Sequence, residues 1–223
     1  PGRCLGAAAV AGLRAWWARP RFLRRAAERH AGAGAARGRH GSAWLEPRTL
    51  LIGVVVFAAA FTEGTANDWL AVAFVEGHDL PAWAGVLAFA TFLTAMTIGR
   101  LVGTRLLDRH GRVPVLRVSF ALAALGAAMV IFGSAWLAFI GAAVWGVGAA
   151  LGFPVGMSAS ADDAARAAAR MSVVATIGYV AFIAGPPLLG LLGDSVGVLR
   201  SLLVVGALAI LALSVVPAVR EPA

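Results

Sequence analysis

The sequence predicts an all-α membrane protein with six transmembrane helices, and three observations support this fold class. Of the 223 residues, 60% are hydrophobic and only 13% are charged. Soluble domains are about 45–50% apolar and about 25% charged, so a bilayer must cover the surplus apolar surface. Six apolar runs follow Pro47, and the arginines gather at one end of these runs. A soluble globular domain is therefore strongly disfavoured.

Residues 1–48 differ from the rest, because they hold ten of the nineteen arginines together with much alanine and glycine. We expect a basic, flexible cytoplasmic segment here. The alternative is a short helix over residues 7–17 that lies in the membrane interface, with Trp16 and Trp17 as anchors. The chain begins with Pro1 rather than Met, which indicates a fragment or a mis-started gene product.

Each of the six apolar runs is long enough for a helix of about 20 residues, the length that crosses the hydrocarbon. Spans one to six are predicted at residues 50–75, 82–106, 114–133, 135–157, 171–192 and 198–219. We place the transmembrane unit at residues 49–219 and a cytoplasmic tail at residues 220–223.

The charges of the connections predict the orientation. If the amino-terminal segment is cytoplasmic, the turns after spans two and four and the chain end are cytoplasmic too. All the arginines except Arg200 then lie on the cytoplasmic side or at the helix ends next to it, as the positive-inside rule requires. An odd number of spans would break this agreement. We therefore expect a multi-pass protein of a bacterial inner membrane with both termini in the cytoplasm.

Prolines inside two spans predict helix kinks, because proline removes a backbone donor and its ring clashes with the preceding turn. Pro154 should bend the cytoplasmic end of span four, where glycines flank it. Pro186 and Pro187 should kink or locally unwind span five near its outer end.

Carboxylates inside an apolar span are costly and point to function. Glu63 lies about 20 Å along span one from Leu50, and Asn67 follows one turn later on nearly the same face. Asp68 is about 140° round the helix from Glu63. We expect Glu63 and Asn67 to face a water-filled cavity and to bind solute, a proton or both, with Asp68 as a weaker candidate. The alternative for each is a structural hydrogen bond to a neighbouring helix.

Two further polar side chains are candidates for the same cavity. Tyr179 is the only tyrosine and lies inside span five, where its hydroxyl needs a partner. Thr91 lies in span two, although threonine often bonds back to its own helix.

Several other classes of function find no support. Hydrolase and phosphate-binding motifs are absent, and the single cysteine and four histidines show no metal-ligand spacing. We therefore predict no enzyme, no cofactor and no metal. The arginines lie in loops and in a tail rather than across a polar face, so nucleic acid is not an expected partner. Asp162 and Asp163 precede span five, where we expect them to cap the helix in contact with solvent.

The turn Asp108-Arg109-His110-Gly111-Arg112 between spans two and three resembles the signature loop of the major facilitator superfamily. That loop reads Gly-x-x-x-Asp-Arg-x-Gly-Arg and joins the second and third helices of each six-helix half. Here the leading glycine, Gly103, stands one place early, and Thr104 takes its position.

Further stretches resemble the bacterial sugar-permease-like branch close to fucose permeases. They are Glu63-Gly64 with Asn67-Asp68-Trp69, then Met96-Thr97-x-Gly99-Arg100-x-x-Gly103, then Trp145-Gly146-x-Gly148 to Pro154, and Gly178-Tyr179 to Gly190. They are similar to parts of the seventh, eighth, tenth and eleventh helices of that branch.

The resemblance implies the carboxy-terminal half of a twelve-helix transporter, built from two inverted three-helix repeats. Its partners would be a small solute, a proton, the bilayer and the missing amino-terminal half. Glu63, Asn67, Thr91 and Tyr179 lie on helices that line the cavity in this family. The loop residues Gly103, Asp108, Arg109, Gly111 and Arg112 would form a conformational latch, in which Asp108 braces against the other half.

Two alternatives remain open at this stage. The chain is either a transporter half or a truncated membrane interaction protein that transports nothing. Within transport, the sugar-type resemblance favours uptake, whereas the glycine- and proline-rich span five resembles a motif of drug and metabolite exporters.

Overall fold

The computed structural model describes residues 43–221. This part of the chain is helical and contains no β-strand. Its α-helices are α1 (Pro47–Val72), α2 (Ala82–His110), α3 (Arg112–Phe132), α4 (Ala135–Ala149), α5 (Gly152–Ser160), α6 (Ala167–Val196), α7 (Val198–Ser201) and α8 (Leu203–Val215). A π-helical turn at Ala73–Gly77 extends α1, and a 3-10 turn at Val216–Val219 extends α8.

Six segments of the described chain are long and apolar enough to cross a membrane, which confirms the predicted fold class. They are Pro47–Gly77, Ala82–His110, Arg112–Phe132, Ala135–Ser160, Ala167–Val196 and Val198–Val219. The expectations for residues 1–42, including the interfacial helix, and for residues 222–223 lie outside the described residues.

Span four consists of two helices, because α4 and α5 are separated at Ala150 and Leu151. Pro154, in the first turn of α5, has no N–H with which to continue the helical bonds across this break. Span five behaves differently: α6 runs without interruption through Pro186 and Pro187. The local unwinding considered for that span is therefore absent.

Helix α1 lies at the centre of the bundle and packs against α2, α5, α6 and α8. Helix α4 packs against α2 and α3, and α3 also packs against α8. In its most apolar stretch the first span is 72% buried, compared with 22% for the second. The core between these helices contains Val55, Phe92, Leu116 and Trp145. The second span therefore presents most of its surface to the surroundings, while the first is enclosed.

At the end of α1, His78 joins the first span to the third. Its Nε2–H donates to the carbonyl of Val130 over 2.8 Å, and this is one of the last α3 carbonyls, which lack intrahelical donors. The imidazole also lies against Phe74, whose ring meets Phe139 edge-on with 4.7 Å between the centroids. Asp79 then adopts φ of 54°, a left-handed conformation that aspartate tolerates, and the chain turns into α2.

Candidate functional site

Glu63 of α1 forms an ion pair with Arg100 of α2. One guanidinium nitrogen of Arg100, Nη2, lies 3.0 Å from each carboxylate oxygen of Glu63. The Glu63 side chain is 16% exposed, whereas that of Arg100 is 45% exposed. The guanidinium therefore neutralises a carboxylate that would be costly inside an apolar span on its own.

The guanidinium of Arg100 has a second anchor at the break in span four. Its Nε–H donates to the carbonyl oxygen of Ala150 over 3.2 Å. In a regular helix this carbonyl would accept from the residue four places later, which is Pro154, and proline has no N–H to donate. Arg100 supplies a donor in its place. A single side chain thus joins α1, α2 and the α4–α5 break.

Close packing of α2 on α4 brings Arg100 within reach of this carbonyl. At Gly146 a Cβ atom would collide with the carbonyl oxygen of Phe92, so the two backbones approach at a position that only glycine fits. At Gly99, next to Arg100, a Cβ atom would lie 2.8 Å from the Cβ of Ala150. The glycines therefore set the distance that the arginine side chain spans.

A cavity of about 440 Å³ extends from Arg100 towards the α2–α3 turn. Its walls include Thr104, Asp108, Arg112 and Ser158. The arginine of the ion pair thus shares a partly polar cavity with the charged end of the bundle.

The other residues predicted to bind solute do not join the ion pair. The side chains of Asn67 and Asp68 are exposed and form no hydrogen bond within the described chain. The hydroxyl of Thr91 donates to the carbonyl of Leu87 in its own helix over 2.8 Å. Tyr179 is 61% exposed, and its hydroxyl has no partner among residues 43–221. The structure therefore brings Glu63 together with Arg100 and leaves the other candidates on open surface.

Two buried hydroxyls flank Glu63 in the sequence. Thr62 and Thr65 are 1% and 3% exposed, and neither hydroxyl has a hydrogen-bond partner in the described part of the protein. Because both hydroxyls are enclosed in the core, they do not line the cavity beside Arg100.

The α2–α3 turn holds its predicted latch residues in different environments. Asp108 and Arg109 are exposed and have no ion-pair partner among the described residues. Gly111 adopts φ of 77°, a conformation that favours glycine, and so reverses the chain between the two helices. Arg112, the first residue of α3, is held by an ion pair with Asp162.

Gly103, which lies in α2 one place before the glycine position of the signature loop, makes a close contact with another span. A Cβ atom at Gly103 would lie 2.5 Å from Cδ2 of Leu151 at the span-four break. Thr104 is exposed, and its hydroxyl donates to the carbonyl of Leu101 over 3.1 Å. The close contact between α2 and the break is therefore made at Gly103.

Asp162 is the centre of an ion cluster at the end of the bundle that holds the α2–α3 turn. Its two carboxylate oxygens accept from Arg48 at 2.9 Å and from Arg112 at 2.8 Å, and its side chain is 9% exposed. Arg48 also donates to the carbonyls of Ala218 and Arg220. The expectation of a solvated helix cap is wrong for Asp162, because two arginines from the starts of α1 and α3 enclose it.

A second ion cluster surrounds Glu46, immediately before α1. Its carboxylate accepts from Arg170 at 2.7 Å and from Arg166 at 2.9 Å. Burial by itself would raise the pKa of Glu46, but hydrogen bonds from Arg170 and Thr49 and the charges of both arginines outweigh it and hold the pKa below 4.5. Asp163 is partly solvated and accepts from the backbone N–H of Ala165.

Arg100 was not predicted as the partner of Glu63. The available signal was its position, because Arg100 lies inside an apolar run rather than in the basic turn. A buried carboxylate and an arginine in neighbouring antiparallel spans form a natural charge pair. Arg48 and Glu46 were also missed as members of the end clusters.

Residues 56–223 match the family model of the Major Facilitator Superfamily. Three bacterial proteins are similar to the chain. An uncharacterised MFS-type transporter of Yersinia pestis is 32% identical over 186 residues, which are 81% of this chain and 47% of that protein. An uncharacterised transporter of Sinorhizobium fredii is 30% identical over 173 residues, 77% of this chain and 46% of the relative.

The membrane protein MosC of Rhizobium meliloti is 26% identical over 166 residues, covering 74% of this chain and 41% of MosC. The chain thus spans less than half the length of each of these relatives. The family match covers most of the chain and includes five of its six candidate spans completely. The chain belongs to the major facilitator superfamily of multi-pass membrane transporters.

Proposed function

We propose that this chain is the carboxy-terminal half of a twelve-span transporter, which moves a small solute across a bacterial inner membrane by alternating access and with proton coupling. Six spans and relatives of about twice the matched length support this division. The missing six-span half would supply the opposite wall of the solute cavity. Six further apolar spans in the coding sequence upstream are the expected finding.

The Glu63–Arg100 ion pair is the observation that carries the proposal. An ionised Glu63 attracts the guanidinium, and a protonated Glu63 does not, so proton binding changes how firmly Arg100 holds α1. Since Arg100 is also bound to Ala150, the same event changes the link between α1 and the span-four break. A proton can then favour one arrangement of these helices, because its affinity differs between them.

The cavity between Arg100 and the α2–α3 turn supports a route for the proton. It is partly polar and contains Thr104 and Ser158. On the positive-inside rule we propose the cytoplasmic side for the turn and for both ends of the chain. Glu63 would therefore release its proton towards the cytoplasm, which both proton-driven uptake and proton-driven export require; the sugar-type resemblance favours uptake.

Asn67, Asp68, Thr91 and Tyr179 are the proposed contacts of the solute. Exposed amide, carboxylate and phenol groups suit a hydroxyl-rich molecule, in line with the resemblance to the sugar-permease-like branch. Asp108 is the proposed contact with the other half, since it is exposed and without a partner in residues 43–221, and Arg109 beside it belongs to the same latch turn. Arg112, held by Asp162, would keep the turn in place for this contact.

The test uses the full-length transporter in proteoliposomes with an imposed pH gradient. Uptake of radiolabelled L-fucose and other neutral hexoses is measured for the wild type, Glu63→Gln and Glu76→Gln. We expect Glu63→Gln to lose accumulation driven by the gradient and to retain exchange at equilibrium. Glu76→Gln removes an exposed carboxylate from the far end of the first span and should retain both.

Gradient-driven accumulation that survives in Glu63→Gln would remove this carboxylate from the coupling. Absence of uptake and exchange for every solute in the wild type would favour a membrane interaction protein without transport activity.

A further inference from the structure

A second cavity lies on another side of α2. It is a groove of about 420 Å³ between α2, α3 and the end of α4. Its walls are almost wholly apolar and include Ile98, Val102, Leu106, Val118, Leu122 and Leu151. A groove of this kind in a membrane-spanning bundle matches the chemistry of a lipid acyl chain.

The groove is separate from the ion pair. Ile98, Val102 and Leu106 follow one another at intervals of four residues and share one face of α2. Arg100 lies about 160–200° round the helix from Ile98 and Val102. The groove therefore opens on a different face of α2 from Arg100, and Leu151 lies in the wall of both cavities.

Positive charge lies at the end of the groove near the α2–α3 turn. His110 lines it, with its Nδ1 bonded to the carbonyl of Leu106 at 3.2 Å and its Nε2 uncommitted. Arg109 precedes His110 and is exposed. Arg117, beside Val118, is also exposed and lies about 8 Å into α3. Neither arginine has an acidic partner among the described residues.

A hydroxyl stands in the wall of the groove. Ser119 is 6% exposed and lines the cavity, and its hydroxyl donates to no acceptor in the part of the chain that the structure describes. A donor that is enclosed in an otherwise apolar wall favours a ligand with an acceptor below its charged group, as a phospholipid ester has.

We propose that this groove binds one anionic phospholipid of the leaflet at the α2–α3 turn. An acyl chain lies between α2 and α3, the ester region reaches Ser119, and the phosphate meets Arg109, Arg117 and His110. The unpaired arginines select a headgroup with net negative charge over a zwitterionic one, because each attracts it electrostatically. The site does not depend on the transport cycle proposed above.

Native mass spectrometry of the 223-residue chain in mild detergent tests the proposal. Dioleoyl phosphatidylglycerol and dioleoyl phosphatidylethanolamine are titrated separately. We expect one retained phosphatidylglycerol per chain and weaker retention of phosphatidylethanolamine. Arg109→Gln should weaken phosphatidylglycerol binding about fivefold. Arg200→Gln removes the same charge at the opposite end of the bundle and should change it little.

Two further variants test the groove itself. Val118→Trp fills it and should abolish retention of the lipid, and Val102→Trp provides a second blocking variant from the other wall. Ile210→Trp adds an indole to exposed surface of α8 and is the matched control. Equal binding of the two lipids would overturn the proposal. So would an effect of Arg200→Gln or Ile210→Trp as large as that of its groove counterpart.

Discussion

Arg100 meets Glu63 through one nitrogen that is equally distant, at 3.0 Å, from both carboxylate oxygens. The side chain of Arg100 is 45% exposed and that of Glu63 is 16% exposed. Loss of the partner should therefore destabilise the protein more when Glu63 is the residue left unpaired. Arg100→Gln leaves an enclosed carboxylate uncompensated and should cost about 2–4 kcal/mol of stability. Glu63→Gln leaves an arginine that can reach solvent and should cost about 1 kcal/mol.

Thermal unfolding in detergent measures the stability that each single variant loses. The double variant Glu63→Gln/Arg100→Gln completes a double-mutant cycle. We expect the double variant to lose less than the two single losses combined, because each residue stabilises the other. Additive losses would show that the pair contributes no coupling.

Thr62→Val should raise the thermal stability of the protein or leave it unchanged. Valine has nearly the shape of threonine, and the hydroxyl of Thr62 is buried without a hydrogen bond in the described chain, so the exchange removes a desolvation cost. The matched control is Thr49→Val. Thr49 is equally buried, but its hydroxyl donates to Glu46 over 3.1 Å, and its loss should cost about 1 kcal/mol. Equal destabilisation by both variants would contradict this prediction.

Gly146→Ala should destabilise the bundle by about 1–3 kcal/mol, because the new Cβ collides with the backbone of α2 at Phe92. Gly206→Ala in α8 is the control. No atom lies within 4 Å of a Cβ at that position, and alanine favours a helix over glycine by up to about 1 kcal/mol. Unfolding midpoints of the two variants should therefore move in opposite directions.

Glu46→Gln should lower stability at pH 7 by about 1 kcal/mol, and its effect should fade in acid. The pKa of Glu46 in the folded protein lies below its ordinary value of 4.5. The stabilisation is therefore present above about pH 4.5 and is lost as the pH falls through the lowered folded pKa. Unfolding scans from pH 3 to 7 measure the difference from the wild type. Glu76→Gln, at the other end of α1, is the control; a constant difference for Glu46→Gln would refute the linkage.

Asp162→Asn should loosen the end of the bundle more than Asp163→Asn. Asp162 binds Arg48 and Arg112 and is 9% exposed, whereas Asp163 is 43% exposed and lies 3.7 Å from Arg170. Hydrogen exchange should rise at the starts of α1 and α3 in the first variant, by about tenfold for each 1.4 kcal/mol lost. Similar hydrogen exchange in both variants would show that Asp162 holds the starts of α1 and α3 no more firmly than Asp163 does.

The spans were predictable from the sequence because hydrophobic length is a local property. Runs of about 20 apolar residues bounded by arginine, glycine or proline can be recognised without knowing which helices pack against them. The helix boundaries differ from the predicted ones where the composition of the sequence is ambiguous. The fifth span was expected from Met171 and begins at Ala167, because alanines and an arginine precede the apolar run and form helix readily.

The partners of the charged residues were less predictable, because they depend on helix packing. Glu63 was identified as a candidate from its own cost in an apolar span, but Arg100 lies 37 residues away. Asp162 was assigned to solvent from its neighbours in the sequence, while Arg48 lies 114 residues away. Which of these groups meet is decided by packing: the glycine Gly146 of α4 lets α2 approach, and the starts of α1 and α3 meet at Asp162.

Pro154 lies in another span from Glu63, yet its nitrogen, which carries no hydrogen, leaves the Ala150 carbonyl for Arg100 to bind. An alanine at position 154 would offer its own N–H to that carbonyl and compete with the guanidinium. Substitutions at positions 100 and 154 should therefore arise together during divergence, as a correlated pair in natural variants. Such correlated substitutions among related sequences would show that the energetic contribution of Arg100 depends on the residue at position 154.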